Sequence, residues 1–313
     1  MNVLDQQIGD SWALYCGDSA EILAGLPDNS IDLQVYSPPF AALFTYTNSE
    51  RDLGNSRDEA EFFAHFRFIV GHLLRVQKPG RVACVHVADV PAMLARDGYI
   101  GLKDFSGEVI RLFQAVGWTF DARIPIDKNQ QAQSIRTHAK GLTMTQMEKD
   151  RSWSRPALPD YILKFRKPGE NVMPISNVDV SRDDWIDFAN PTWPQPGDRA
   201  GDWGAFATWY GIRETDTLNV AEAREHEDER HVCPLQKETI SRCIRLWSNP
   251  GECVLDPFAG IGSTLHQAVL LGRKSVGIEL KPSYYQTGVR NIRRAEREMQ
   301  RVDIFSWTSE ETA

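Results

Sequence analysis

The 313-residue chain contains nothing close to the about 20 consecutive apolar residues that a membrane-spanning helix needs. Its opening stretch, MNVLDQQIGDSW, has neither the basic nor the apolar region of a secretory signal. Cysteine is scarce: Cys16, Cys84, Cys233, Cys243 and Cys253 form an odd, scattered set with no CxxC, which suits reduced thiols. His231, Cys233, Cys243 and Cys253 match no common zinc spacing, and no metal is expected. A net basic charge is also missing. The formal charge is −8, which excludes indiscriminate coating of nucleic acid but not a local basic cluster. There is no internal repeat and no low-complexity block. With 42% apolar residues, the chain can build one large α/β domain plus an insertion. These absences together predict a soluble, cytoplasmic protein.

Two short stretches organise what is present. The first is residues 31–40, IDLQVYSPPF. Ile31, Leu33 and Val35 alternate with polar residues until two prolines end the pattern, which predicts a short strand running into a rigid turn. Pro38 and Pro39 have no N–H for a sheet ladder, and Pro38 pushes Ser37 towards extended geometry. A hydroxyl, a carbonyl outside the ladder and the Phe40 ring are thereby fixed at a strand's C-terminal end. Open α/β sheets bind their ligands at that edge. Taken alone, the string also fits a plain Pro-Pro turn over a core phenylalanine.

The second stretch is residues 251–279, GECVLDPFAGIGSTLHQAVLLGRKSVGIE. Val254 and Leu255 end a strand, residues 256–262 make a tight glycine loop, and residues 263–271 are helical. Residues 274–279 form the next strand, ending in an acid. Such a unit binds an adenosine-type cofactor: glycines let the backbone approach the ligand, and the acid takes the ribose hydroxyls.

SPPF together with DPFAGIGST resembles the amino-methyltransferases of DNA, which use S-adenosylmethionine to methylate cytosine N4 or adenine N6. The catalytic motif precedes the cofactor motif, as in the circularly permuted beta group. The resemblance implies a Rossmann-like methyltransferase fold of the α/β class: a mostly parallel seven-stranded sheet with an antiparallel edge hairpin, circularly permuted, with recognition insertions. It implies Ser37, Pro38, Pro39 and Phe40 as catalytic residues. It implies Asp256, Pro257, Phe258, Ala259, Gly260, Gly262, Ser263, Thr264 and Glu279 as cofactor residues. Asp18, in a Gly-Asp pair, matches the acid that contacts the cofactor's adenine, and it equally suits a helix N-cap. Lys237 lies in the stretch before the cofactor loop that packs on the cofactor's methionine end.

The implied chemistry makes physical sense. An exocyclic amine is a poor nucleophile because its lone pair is delocalised into the ring. Two acceptors, the Ser37 hydroxyl and the Pro38 carbonyl, can draw its hydrogens and make the nitrogen more tetrahedral. Extruding the base from a duplex costs a few kcal/mol, and stacking on Phe40 recovers about 1–3 kcal/mol. No cysteine sits where a ring-carbon methyltransferase needs its nucleophile. In the family, serine at the first motif position usually accompanies cytosine N4, so cytosine is favoured and adenine N6 is the alternative. An RNA or protein amide methyltransferase and a non-enzymatic DNA-binding module are the remaining readings. The implied partner is double-stranded DNA, with a homodimer and a separately acting restriction nuclease left open.

The rest of the chain is read around these motifs. Residues 12–16 form a first strand and residues 20–25 a short helix. After Phe40 an aromatic, turn-rich stretch suits a mobile lid, in which Phe44 and Tyr46 face substrate or pack. Residues 58–76 are helical, stopped by Pro79-Gly80, and residues 81–87 are a buried strand. A helix at 103–115 leads to paired strands at 119–126 and 160–166. Between them lies a polar, basic insertion with a helix around 142–150. In it Arg136, Lys140, Lys149, Arg151 and Arg155 are candidate DNA contacts. A helix from 231 to about 247 precedes the cofactor loop, and an amphipathic helix at 282–299 closes the fold. The segments are thus a catalytic half (1–126), the basic insertion (127–159), an edge strand (160–167), a target-recognition region (168–230), a cofactor half (231–305) and a loose tail (306–313).

Overall fold

A computed structural model of the chain describes residues 3–40, 52–92, 94–126, 143–154, 158–176, 179–189, 212–213, 215–219 and 234–310. Its frame is one sheet in the spatial order β1 (Val3–Ile8), β2 (Trp12–Gly17), β10 (Lys274–Glu279), β9 (Cys253–Asp256), β3 (Ile31–Tyr36), β4 (Gln77–Ala88), β8 (Asp160–Arg166), β7 (Thr119–Ile126). The five strands from β2 to β4 run parallel, and β8 and β7 form an antiparallel hairpin on one edge. The expected seven strands are all there. An eighth, β1, lies antiparallel outside β2. Its sequence, VLDQQI, leaves Leu4 and Ile8 exposed, so no buried face marks it as a strand. A separate ribbon pairs β5 (Val90–Ala92) with β6 (Gly101–Lys103).

Among the described residues, three helices cover each face of the sheet. On one side lie α1 (Ser19–Ala24), α2 (Glu59–Val76) and α4 (Phe105–Val116), whose Ile22, Phe62, Phe66 and Phe113 share a core with Tyr36 and Val85. On the other lie α7 (Lys237–Trp247), α8 (Ser263–Leu270) and α9 (Pro282–Glu310). There Ile240 and Ile244 pack with Leu33 and Val35, and Leu265 and Ile292 with Trp12 and Leu14. Three short helices, α3 (Leu94–Asp97), α5 (Met144–Lys149) and α6 (Arg182–Ala189), lie in the connections. Aspartate caps recur because a carboxylate satisfies the first free N–H groups of a helix. Asp18 accepts from Ala20 N at 2.7 Å, Asp58 from Glu61 N at 2.9 Å and Asp104 from Gly107 N at 2.8 Å.

Burial on both faces changes the reading of β3. Its apolar–polar alternation suggests one wet face, yet all six residues are buried. Asp32 and the Gln34 amide nitrogen are bonded internally, as most buried polar groups are, while Gln34 Oε1 has no hydrogen-bond partner among the described residues. Asp32 accepts from Lys78 Nζ at 2.6 Å and from Cys253 N at 3.0 Å, while Gln34 Nε2 donates to Leu73 O and Gln77 Oε1. Other boundaries also shift. Helix α2 ends at Val76, before Pro79-Gly80, and β4 already begins at Gln77. Gly80, at φ +72°, lets the Asn171 backbone approach where a Cβ would stand 2.4 Å from its nitrogen. Helix α4 starts at Phe105 because Lys103 is used in β6 and Asp104 is the cap. Helix α7 starts at Lys237 rather than at 231. Helix α9 runs on to Glu310, through most of the segment read as a tail.

Candidate active site

The two motifs, more than two hundred residues apart in sequence, meet at the C-terminal ends of adjacent strands. Strand β3 pairs with β9 in parallel, Leu33 opposite Val254 and Gln34 opposite Leu255. Just beyond, Thr264 Oγ1 donates to Val35 O at 3.2 Å, and the rings of Tyr36 and Phe258 lie 5.9 Å apart. The Gly17-Asp18-Ser19 turn joins them, since Ser19 Oγ donates to Pro257 O at 2.5 Å. Three strand ends thus form one lip, with Ser37 two residues beyond the carbonyl held by Thr264.

The glycine loop is shaped from within. Phe258 N donates to Asp256 Oδ1 at 2.9 Å, Ala259 N to Ile278 O at 2.8 Å, and Gly262 N to Ala259 O at 2.8 Å. Gly260 has φ +53° and Gly262 φ +81°, left-handed backbone that favours glycine. A Cβ at Gly262 would crowd Ile292 and Gly288, whereas one at Gly260 would meet nothing within 4 Å. Gly260 therefore borders open space. Glu279 stands beside it, Oε2 accepting from Gly260 N at 2.8 Å and Oε1 from Lys281 N at 2.7 Å. Ser263 Oγ is buried and has no hydrogen-bond partner among the described residues. An open glycine face, an acid fixed by two backbone N–H groups and an orphaned hydroxyl suit a polar, nucleoside-type ligand.

Burial also tunes the two acids. Desolvation pushes the Asp256 carboxyl up to about 7 against the hydrogen bonds from Thr264 and the Phe258 N–H. It pushes Glu279 up to about 7 against the N–H groups of Lys281 and Gly260. Asp18 is the N-cap of α1, so the capping role read from sequence is realised. Lys237 is the first residue of α7; its ammonium pairs with Asp216 Oδ1 at 2.8 Å and its N–H donates to Asp216 O.

Ser37, Pro38, Pro39 and Phe40 follow β3 directly; Pro38 is buried and the other three are half-buried. The Phe40 ring packs edge-on against Phe105 at 5.8 Å and lies 6.2 Å from His86. Ser37 Oγ lies 3.1 Å from His86 Nδ1, and His86 Nε2 lies 3.0 Å from Asp160 Oδ2. Sequence reasoning missed His86 and Asp160. A signal existed: His86 is the one titratable side chain other than cysteine within the apolar run VACVHVA, and Asp160 opens the strand that pairs with it.

The basic run between 123 and 167 is less of a patch than its composition implies. Arg123 lies over the Tyr161 ring, Lys164 pairs with Asp121 at 2.6 Å, and Lys167 Nζ donates to Asn29 Oδ1 and Gln77 O. Lys149 and Arg151 are exposed. Arg136, Lys140 and Arg155 lie outside the described residues, as do Phe44, Tyr46, His231 and Cys233. Part of residues 168–230 docks at the sheet edge opposite the site. Met173 O accepts from Arg81, Ser176 N donates to Asn249 Oδ1, Asp179 pairs with Arg273 and Asp184 with Arg245. Those partners lie early in β4, just before β9 and β10, or near the end of α7. The chain is back at the active edge by Asp216.

Comparison with known proteins gives the same outline. A family model described as DNA methylase matches residues 31–290. The DNA adenine methyltransferase YhdJ of Escherichia coli K12 is 41% identical over 66 residues, 21% of this chain and 22% of that protein. The type II methyltransferase M.BglII of Bacillus subtilis is 26% identical over 277 residues, 87% of this chain and 66% of that one. The matched stretches thus span less than two thirds of these relatives. Among solved structures, TTHA0409 from Thermus thermophilus, complexed with S-adenosyl-L-methionine, superposes with a TM-score of 0.65 at 23% identity, over 90% of this chain and 93% of that one. The PvuII DNA methyltransferase, cytosine-N4-specific, gives a TM-score of 0.63 at 18% identity, over 93% of this chain and 90% of that one. At these identities the two structures establish a shared fold.

Proposed function

Because the chain belongs to the N6/N4 DNA methylase family, whose model covers residues 31–290, we propose that it transfers a methyl group from S-adenosylmethionine to an exocyclic amine of a base in double-stranded DNA. The observation that carries this reading is the bond from Thr264 Oγ1 to Val35 O, which seats the glycine loop and the Ser37 turn on one lip.

S-adenosylmethionine supplies a sulfonium-bound methyl group whose sulfur is already a good leaving group. Glu279 accepts the ribose hydroxyls, the open face of Gly260 admits the ligand, and Ser263 Oγ gains the partner it lacks. Asp18 reaches the adenine while keeping its cap, and Lys237 stands at the methionine end. Ser37 Oγ and the Pro38 carbonyl accept the two amine hydrogens and hold the nitrogen electron-rich. Orientation of this kind supplies several kcal/mol of the barrier. The base is flipped out of the duplex to reach Ser37, with Phe40 as the apolar wall it meets. Phosphate contacts fall to Lys149 and Arg151, with Arg136, Lys140 and Arg155 of the same insertion. Target reading falls to the part of 168–230 that is not docked on the far edge.

Ser37 at the first motif position favours cytosine N4. The match to an adenine methyltransferase over 66 residues favours adenine N6 as the second reading. The test uses unmethylated bacterial DNA, labelled S-adenosylmethionine and digestion to nucleosides. Label in N4-methylcytosine is expected, and label in N6-methyladenine selects the second reading. Label in neither, or undiminished label with Ser37→Ala, refutes the proposal.

A further inference from the structure

The arrangement behind Ser37 assigns a role that the two motifs do not. We propose that His86, oriented by Asp160, takes the only hydroxyl hydrogen of Ser37 and so fixes Ser37 Oγ as an acceptor for the target amine. The inference rests on the methyltransferase reading above for what that amine is, but not for the hydrogen-bond order itself.

Three side chains set that order. His86 is 7% exposed, and its ring stands between two partners, with Nδ1 at 3.1 Å from Ser37 Oγ and Nε2 at 3.0 Å from Asp160 Oδ2. A neutral imidazole carries one N–H, and which nitrogen holds it is decided by the partners. A carboxylate can only accept, so Asp160 selects the Nε2–H form. Nδ1 is then a bare lone pair, and the one hydrogen that can lie between it and Oγ is the serine's own. The second outlet for that hydrogen, His86 O, is farther away at 3.4 Å. A hydroxyl has one hydrogen and two lone pairs. With the hydrogen given to His86, Ser37 has only lone pairs left for substrate. The opposite tautomer would set a bare Nε2 against the carboxylate and turn Ser37 into a donor, which repels an amine hydrogen. The logic is that of an acid–histidine–serine triad with the ring nitrogens exchanged. Here the serine acts as an acceptor and forms no covalent bond to substrate.

The same wiring closes the proton balance. As the amine forms its new C–N bond, the methyl–sulfur bond breaks and its electron pair stays on sulfur. The surplus amine proton moves to Ser37 Oγ, and the hydroxyl proton moves to His86 Nδ1. The resulting imidazolium lies against the Asp160 carboxylate. His86 acts through Ser37 and is therefore a positioning residue.

Two measurements test this. Nitrogen-15 NMR of the imidazoles, with His86 assigned by the signal lost in His86→Asn, is expected to show hydrogen on Nε2 and none on Nδ1 in slightly alkaline buffer. Hydrogen on Nδ1 overturns the proposal, whether or not the protein is active. Single-turnover methylation is then compared with binding. His86→Leu, which has no acceptor, is expected to slow transfer about 100-fold, at the lower end of what a positioned proton acceptor contributes. Cofactor and DNA affinities are expected to be unchanged, while the unfolding midpoint falls because the buried Asp160 carboxylate loses its partner. His86→Asn, which puts an oxygen near the Nδ1 position, recovers part of the rate. Asp160→Asn, which keeps the shape but frees the tautomer, is slow. An unchanged rate in His86→Leu, or a loss confined to the binding constants, overturns the proposal and leaves the methyltransferase reading intact. A parent protein that methylates no DNA refutes that reading instead.

Discussion

Glu279→Gln probes the proposed cofactor pocket with least disturbance of shape. In the parent each carboxylate oxygen accepts one loop N–H, from Gly260 at 2.8 Å and from Lys281 at 2.7 Å. Glutamine keeps one acceptor and turns an NH2 group towards the other N–H, donor against donor. A ribose hydroxyl then loses a charge-assisted bond, worth about 1.5–3 kcal/mol. That corresponds to a rise of about 10- to 150-fold in the dissociation constant for S-adenosylmethionine. The DNA constant, set at a separate surface, should move by less than about 0.5 kcal/mol. Calorimetry reads the first and electrophoretic mobility shift the second. The pH dependence gives a further handle. Burial raises Glu279 from 4.5 to about 7, and the ionised form is the better acceptor. Parent affinity for the cofactor should therefore weaken as pH falls through about 7 and level off above it. For folding the sign is reversed: a raised carboxyl contributes stability that is present below 4.5 and lost as pH rises through about 7. Glutamine removes the share of both slopes due to position 279 and leaves that of Asp256, itself raised to about 7. Equal rises in the cofactor and DNA constants, or an unaltered pH profile of cofactor binding, would refute the assignment.

Other outcomes follow from the contacts. Arg81, whose side chain is 1% exposed, pairs with Glu252 at the far edge of the sheet. Arg81→Ala should lower stability by about 3–5 kcal/mol in chemical denaturation, because a largely buried carboxylate loses its partner. Asp28→Ala, which breaks a pair with Arg75 at a carboxylate 67% exposed, should lower it by less than about 1 kcal/mol. Thr264→Val removes the hydroxyl that the Val35 carbonyl and the Asp256 carboxyl share, about 1–3 kcal/mol, read as a fall of about 2–6 °C in the unfolding midpoint. DNA affinity should fall steeply with salt. Lys149→Ala and Arg151→Ala should each reduce the magnitude of that slope by about 1, and an unchanged slope would exclude both from phosphate contact.

Much of this was legible from local chemistry. The strand–glycine-loop–helix–strand unit at 251–279 declares itself because each residue there answers a backbone need, and the structure places β9, α8 and β10 within a residue or two of the reading. The strands at 119–126 and 160–166 fall where expected, the second from its period-two alternation. What stayed hidden depended on distant partners. Strand β1 has no apolar face and exists because β2 offers it an open edge. Asp32 and Gln34 look like solvent-side residues until Cys253 N arrives to bond the Asp32 carboxylate and Gln77 to accept from the Gln34 amide nitrogen. His86 and Asp160 lie 74 residues apart and become a pair only through the register of β4 and β8, which sets Ala88 opposite Asp160. The docking of part of residues 168–230 was hidden likewise. Its acids look like free surface charge, but Asp179 and Asp184 are held by Arg273 and Arg245.

The strand order also constrains how the molecule is born. Strands β9 and β10 come from the last quarter of the chain, yet they sit between β2 and β3. A ribosome that has delivered everything up to residue 250 has made two partial sheets, each with a bare parallel rim where the missing ribbons belong. Those rims are sticky edges, and they stay open until residues 253–279 emerge. The nascent protein thus waits on its final stretch for a wedge that joins its halves, and a chain truncated before that point is expected to aggregate rather than linger as a folded fragment.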